Sequence, residues 1–264
     1  MKILFIGDIS GKPGRETVKN VLPEVVKQEK IDFVIANCEN AAHGRGVTRE
    51  IISELQAYGV DYFTSGDHIW DQREFINEMY DQNLPLVRFY NYEGGEAIPG
   101  KSYEIIDVCN EKVVIASFGG ISFTRFVPRN PFWAADIFFK ELKKKGITNE
   151  NSIIIIDFHG EATAEKLSFA EYVKDRASAV IGTHTHVGTV DIQNKGDLAY
   201  VTDVGMVGPM ESSLWVDFED SIHNFKFPNR KNQTMKEGGK KIFNSVILDF
   251  ALHPVGIKRL DRVL

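Results

Sequence analysis

The residues able to do chemistry in this chain are carboxylates and imidazoles that follow short apolar runs. Asp8 follows the run at 2–7, and Asn37-Cys38-Glu39-Asn40 follows one at 33–36. Gly66-Asp67-His68 follows 60–64, Asp157-Phe158-His159 follows 153–156, and His184-Thr185-His186 follows 179–182. A lone histidine beside a strand is more often a hydrogen-bonded structural group than a ligand. Here four of the 7 histidines (His68, His159, His184, His186) stand at such run ends, with the carboxylates of Asp8, Glu39 and Asp67 placed alike. That pattern points to a metal centre. Mixed imidazole and carboxylate donors suit zinc, iron, manganese or nickel, whereas magnesium and calcium take oxygen almost throughout. A pair of ions needs one ligand shared between them and separate ligands at each, and Glu39 is the candidate for the shared position. Such a pair generates hydroxide near neutrality and clamps an in-line phosphoryl displacement.

The elements that must position these groups follow from hydrophobic patterning. The apolar runs are continuous, and helical patterns near 14–28, 48–58, 71–80, 132–145 and 164–175 lie between them. Continuous strands alternating with amphipathic helices predict an α/β chain with a mostly parallel sheet buried on both faces. Ligands of such sheets bind beyond the carboxyl ends of the strands. Gly59 marks the stop of the helix that starts near Thr48. Asp71 before Gln72-Arg73-Glu74 resembles a capping box, and Pro23 predicts a kink or break in the first helix. The Lys143-Lys144-Lys145 run ends a helix, where cations complement the dipole. Residues 103–108 and 112–118 read as paired strands and 245–250 as a further buried strand. Residues 206–242 carry little periodicity and read as a long loop or lid. With no repeat and no linker, one domain over 1–264 is expected.

Composition narrows the function. Of 264 residues, 43% are hydrophobic and 26% charged, the balance of a globular protein, which excludes disordered, collagenous and channel classes. Thirty-one Lys+Arg against 37 Asp+Glu leave a net charge of −6, so no broad surface for duplex nucleic acid is expected. A small anion held by local metal ions remains compatible with that charge. Cys38 and Cys109 cannot build a disulfide framework or a four-thiolate zinc site. The N-terminal run lacks a signal-peptide cleavage site and no run is long enough to span a bilayer. A reduced, cytoplasmic protein without membrane contact is expected, and a homo-oligomer is compatible with it.

The order Gly7-Asp8, Asn37-Cys38-Glu39-Asn40, Gly66-Asp67-His68, His159-Gly160-Glu161 and Gly182-Thr183-His184-Thr185-His186 is similar to the calcineurin-like metallophosphoesterases. More closely it resembles their bacterial YmdB-type subgroup. The likeness also takes in Asn130-Pro131-Phe132, Ala134-Ala135-Asp136, Thr202-Asp203-Val204-Gly205-Met206 and Gly208-Pro209. It implies an α/β/α layered sandwich with mostly parallel and mixed sheets. It further implies a phosphodiesterase acting on small phosphodiesters, 2′,3′-cyclic nucleotides foremost. Two transition-metal ions per chain are implied, iron (Fe2+/Fe3+) first, with manganese or zinc as alternatives. By the same resemblance Asp8, Glu39, Asn40 and His186 are ligands of one ion. Glu39, Asp67, His159 and His184 are ligands of the other, with Glu39 bridging. By the same resemblance His68 is the acid that protonates the leaving oxygen or the group that steadies the phosphate, and imidazole suits the acid's duty near neutrality. The wider superfamily begins with Asp-x-His where this chain has Asp8-Ile9-Ser10, a feature shared with the subgroup. At position 67 the subgroup normally carries Asn, and here the residue is Asp67.

The remaining motifs are weaker. Gly7 to Gly11 followed by Lys12 lacks the spacing of a phosphate-binding loop, and Pro13 takes its Ser/Thr position. Gly11 and Gly14 instead let the chain turn tightly beside Asp8. His43 and Arg45 lie in a glycine-rich loop, where substrate contact and simple solvation are equally compatible. His223 and His253 read as structural or surface groups, Cys38 as buried packing. Trp70, Phe132 and Trp133 read as core packing, with a nucleobase stack as the lesser reading. The same centre also suits a broader phosphomonoesterase or an RNA nuclease, and a metal-binding regulatory protein is the alternative of another class. Loops at 40–47, 88–100 and 206–230 would choose between the substrates.

Overall fold

Alternation within the strands decides the layers. In the strand Lys2–Ile6, Ile3 and Phe5 point to one side and Leu4 and Ile6 to the other, and all four are fully buried. Such a strand needs cover on both faces. The computed structural model describes residues 1–94, 97–123 and 129–264. Within these, one sheet has the order Gly256–Arg259, Ser245–Asp249, Lys2–Ile6, Phe33–Asn37, Tyr62–Thr64, Leu86–Val87. Its last four strands are mutually parallel, and the first two are antiparallel to their neighbours. A second sheet has the order Gln193–Lys195, Leu198–Val201, Ala179–Thr183, Ile153–His159, Glu111–Gly119, Tyr103–Val108. Its four inner strands are parallel and both edges antiparallel.

The two sheets face each other across one apolar layer, in which Phe5, Ile35 and Tyr62 meet Ile115, Ile155 and Ile181. The helices Gly11–Glu29, Arg49–Ala57 and Arg73–Glu78 cover the outer face of the first sheet, packing Val18, Leu22, Ile52 and Phe75 on Leu4, Ile6 and Phe63. Helices Pro131–Lys144 and Thr163–Val173 cover the second with Phe138 and Phe169, whose ring lies 4.4 Å from that of Phe158. Each such side chain taken out of water contributes about 1.5–3 kcal/mol. The α/β/α sandwich therefore has two sheets as its middle. The register Ile35↔Tyr62 in one and Ile155↔Ala179 in the other sets the parallel carboxyl ends side by side, where the chemically able loops begin. No helix among the described residues is long and apolar enough to cross a membrane.

Several local expectations change. The first helix runs from Gly11 to Glu29 through Pro23 without interruption. The expected helix at 71–80 is a 3-10 turn, Asp67–Trp70, followed by the short helix Arg73–Glu78. Asp71 does not cap it, because its carboxylate is held 2.8 Å from His68 Nδ1. Residues 206–242 are not one long loop. Met206–Pro209 and Lys241–Phe243 join Asp8–Ile9 and Arg262–Val263 in a third sheet, and Phe218–Lys226 is a helix. Pairing of Met206 with Asp8 ties this segment to the first strand-end loop, a main-chain contact that leaves no side-chain period. Trp133 is not core but 74% exposed, on the outer face of its helix, while Phe132 and Trp70 are half-buried. In the loop at 88–100, Gly95 and Glu96 lie outside the described residues.

Candidate metal centre

Five strand-end loops converge on one buried point. Ligand atoms of Glu39, Asp67, His159 and His184 all lie within 4.8 Å of one another, and so do those of Asp8, Glu39 and His186. Glu39 belongs to both groups, with Oε1 3.1 Å from His159 Nε2. Asp67 Oδ1 lies 3.6 Å from that nitrogen, and Asp8 Oδ1 lies 3.9 Å from His186 Nε2. The Asn40 amide joins the second group, 3.1 Å from His186 Nε2 and 3.0 Å from Glu39 Oε1. Half a turn of that amide presents its oxygen to the same point. Gly66 makes the approach possible, since a Cβ there would sit 1.8 Å from Glu39 Oε2 and 2.5 Å from His159 Nε2.

The imidazoles are aimed by partners to which the local sequence assigns no role. His159 Nδ1 lies 2.8 Å from Thr183 Oγ1, whose own proton goes to Asp157 Oδ1 at 2.6 Å. Asp157 is fully buried and also accepts from Thr64 Oγ1 at 2.5 Å and Asn37 Nδ2 at 3.0 Å, so one carboxylate ties both sheets beneath the centre. An ionised Asp157 only accepts, so Thr183 donates to it and accepts from His159 Nδ1–H. This leaves His159 Nε2 toward the carboxylates. His184 Nε2 faces Glu161 at 3.3 Å, turning Nδ1 inward to 3.0 Å from His159 Nε2. His186 Nδ1 donates to the Leu214 carbonyl at 3.1 Å, turning Nε2 inward. Outward N–H groups fixed in this way are how proteins orient metal-binding histidines. The loop carrying His184 and His186 is itself held by buried Lys166, which donates to Thr183 O and to Asp203 Oδ2, each at 2.7 Å. Asp203 in turn accepts from the backbone of Thr185 and Gly205.

Electrostatics test whether cations fit. Burial drives the Asp8 carboxyl well above its usual range, and the nearby Glu39, Asp203 and Asp157 add to this. Burial alone would also raise Glu39, but charge on His159 outweighs it and holds Glu39 low. For His159, burial opposes charging, yet Glu39 and Asp67 win and hold its pKa well above the ordinary histidine value. His184 is pushed down to about 4 by burial and by His159, and burial also lowers His186. Within this cluster of described residues, a proton kept on His159 is what answers three carboxylates. Asp8 Oδ1 and Asp67 Oδ1 are buried with no hydrogen-bond partner among the described residues. Unpartnered buried carboxyl oxygens beside inward-facing imidazole nitrogens fit transition-metal ions of the N/O-binding kind.

His68 stands apart from both groups. Its ring is a fifth exposed, its backbone N–H donates to Glu39 Oε2 at 3.3 Å, and Asp71 fixes its Nδ1. Cys38 is buried in packing, and burial raises its thiol well above the usual range. His223 and His253 lie outside the cluster, at the Asn229 carbonyl and near Asp197. A cavity of about 1000 Å³ between Arg88 and Lys145 shares no residue with the donor groups.

Comparison with known proteins gives the family. The chain is 40% identical over 266 residues to a 2′,3′-cyclic-nucleotide 2′-phosphodiesterase of Bacillus subtilis (strain 168), covering 100% of this chain and 97% of that protein. A crystal structure of a hypothetical protein from Thermus thermophilus superposes with a TM-score of 0.90 at 33% identity, covering 100% and 99% of the two chains. That of a novel phosphatase from Mycoplasma pneumoniae gives 0.89 at 30% identity, covering 100% and 93%. The family model described as YmdB-like protein matches residues 4–263, and the chain belongs to that family.

Proposed function

We propose that this chain is a metal-dependent phosphodiesterase of small phosphodiesters, with 2′,3′-cyclic nucleotides as its substrates. The observation that carries the reading is Glu39, common to two donor groups whose three imidazoles are each turned inward by an outer partner. The name of the Bacillus subtilis relative supplies the substrate class. Asp8, Glu39, Asn40 and His186 would hold one ion, and Glu39, Asp67, His159 and His184 the other. The N/O donor set suits iron, with manganese or zinc as alternatives. When bound, such a pair lowers the pKa of water and neutralises charge on the phosphoryl group. The protein's part is to fix these donors and to exclude bulk water by burial. His68, beside the centre and steadied by Asp71, would deliver a proton to the departing ribose oxygen. Two unpaired cysteines support a reduced, cytoplasmic setting.

Metal analysis of the native protein, joined to hydrolysis of cyclic nucleotides and phosphomonoesters, tests the reading. Cyclic nucleotides should be turned over faster, and His159→Ala should remove both metal and turnover. Unchanged metal content in that variant would overturn the ligand assignment.

A further inference from the structure

Beside the donor cluster lies a cavity of about 690 Å³ that the hydrolytic reading leaves unused. One side is the loop after Asn40, with His43 and Arg45, and the other is chain from Ser213 to Gln233. Two contacts tie it to the centre. Leu214 gives its carbonyl to His186, and the indole of Trp215 lies on Gly44, where a Cβ would come 3.0 Å from three ring carbons. The backbone is strained at this place: φ is +52° at His43, +61° at Leu214 and +107° at Trp215. Side-chain-bearing residues adopt such angles rarely, and they gather where surrounding structure holds a group for use. Trp215 is only half-buried and lines the cavity, as does Phe225, which is 89% exposed. In a chain of net charge −6, the charged residues lining this cavity are Arg45, Arg230 and Lys231, with no carboxylate among the described lining.

Aromatic rings, amide side chains and cations beside a phosphoryl-handling centre match a nucleoside. We infer that this cavity is the nucleoside subsite of the centre, with Trp215 as the platform on which the base stacks. The inference rests on the phosphodiesterase reading and adds to it the residue that makes a nucleotide the preferred ester. Stacking is tolerant of base identity, because every base has a π-face. Purine and pyrimidine cyclic nucleotides should therefore both be accepted, and the three cations draw either anion in.

The test is a ratio: kcat/KM for adenosine 2′,3′-cyclic phosphate over that for glycerol 1,2-cyclic phosphate, which has the same ring ester and no base. Trp215→Ala should lower the ratio on the order of 10- to 100-fold, the range of one lost base stack, while Trp215→Phe should keep most of it. Phe225→Ala, on an exposed side chain whose loss cannot unfold the chain, should lower it less. Calorimetric titration of the metal-loaded protein with adenosine 3′-phosphate reads the subsite without turnover, and its affinity should fall in Trp215→Ala. A ratio and a calorimetric affinity both unchanged in Trp215→Ala would overturn the subsite. Turnover of neither ester with adenosine 3′-phosphate still bound through Trp215 would overturn the phosphodiesterase reading and leave the subsite standing.

Discussion

Replacing Lys166 by methionine removes a buried ammonium and keeps most of its volume. Lys166 and Asp203 are both fully buried, and the ammonium donates to Asp203 Oδ2 and to the Thr183 carbonyl. Removing one member of a buried ion pair costs about 3–5 kcal/mol, because the other charge is left without its counterpart. Asp203 keeps backbone donors from Thr185 at 3.0 Å and Gly205 at 2.8 Å, which places the loss near the lower end, about 3 kcal/mol. With an unfolding entropy of about 2.1 cal/mol/K per residue, a chain of 264 residues should lose about 5 °C in Tm. The hydrogen bond to Thr183 is broken directly beside His184, so metal affinity should fall as well, by about 10- to 100-fold as for other orienting residues. Thermal unfolding and metal titration of Lys166→Met, Asp203→Asn and the double variant measure both effects. The double variant should be less destabilised than the sum of the singles by about 1–3 kcal/mol. A Tm within about 1 °C of the parent, or strict additivity, would refute the argument.

Three further outcomes are expected. His68→Ala should retain metal while slowing cyclic-nucleotide hydrolysis about 10²–10⁴-fold, with a smaller loss for nitrophenyl esters, whose leaving group needs no proton; equal losses would exclude an acid role. Asp67→Asn removes one of three carboxylates facing the proposed ions, so metal at the His159–His184 side should be held more weakly. KM for the anionic substrate should fall and the onset of activity move to lower pH, and identical affinities and pH profiles would mean that Asp67 is not a ligand. In chelated protein, His159 has a folded pKa above its unfolded value of 6.5, raised by Glu39 and Asp67 against burial. Its contribution to stability is complete below pH 6.5 and is lost as pH rises through the folded value, so Tm of the chelated protein should decline as pH is raised above 6.5. Bound metal requires a neutral imidazole and should abolish that decline, so parallel Tm curves with and without chelator would contradict the reading.

Hydrophobic order along the chain by itself determined the apolar strands at 2–7, 33–36, 60–64, 153–156 and 179–182, their parallel character and the loops that end them. A strand buried on both faces, such as Ile153–His159, opens on an unbroken apolar run, and the polar residues at its end are visible against that run. Hence Asp8, Glu39, Asn40, Asp67, His159, His184 and His186 stood out, and the fold brings them together. The pairing that aims them did not stand out. Asn37 meets Asp157 across 120 residues, and Asp8 meets the His184 backbone across 176, so their pairing leaves no local period to read. The role of Asp71 shows why local chemistry misleads: a carboxylate at a helix start usually caps it, but a nearby imidazole was the stronger partner. The division into two facing sheets, the third sheet that anchors Met206 on Asp8, and the placing of Trp215 against Gly44 were likewise decided only in three dimensions. Each depends on which main chains meet, and backbone hydrogen bonding is the one chemistry that nearly every residue type shares.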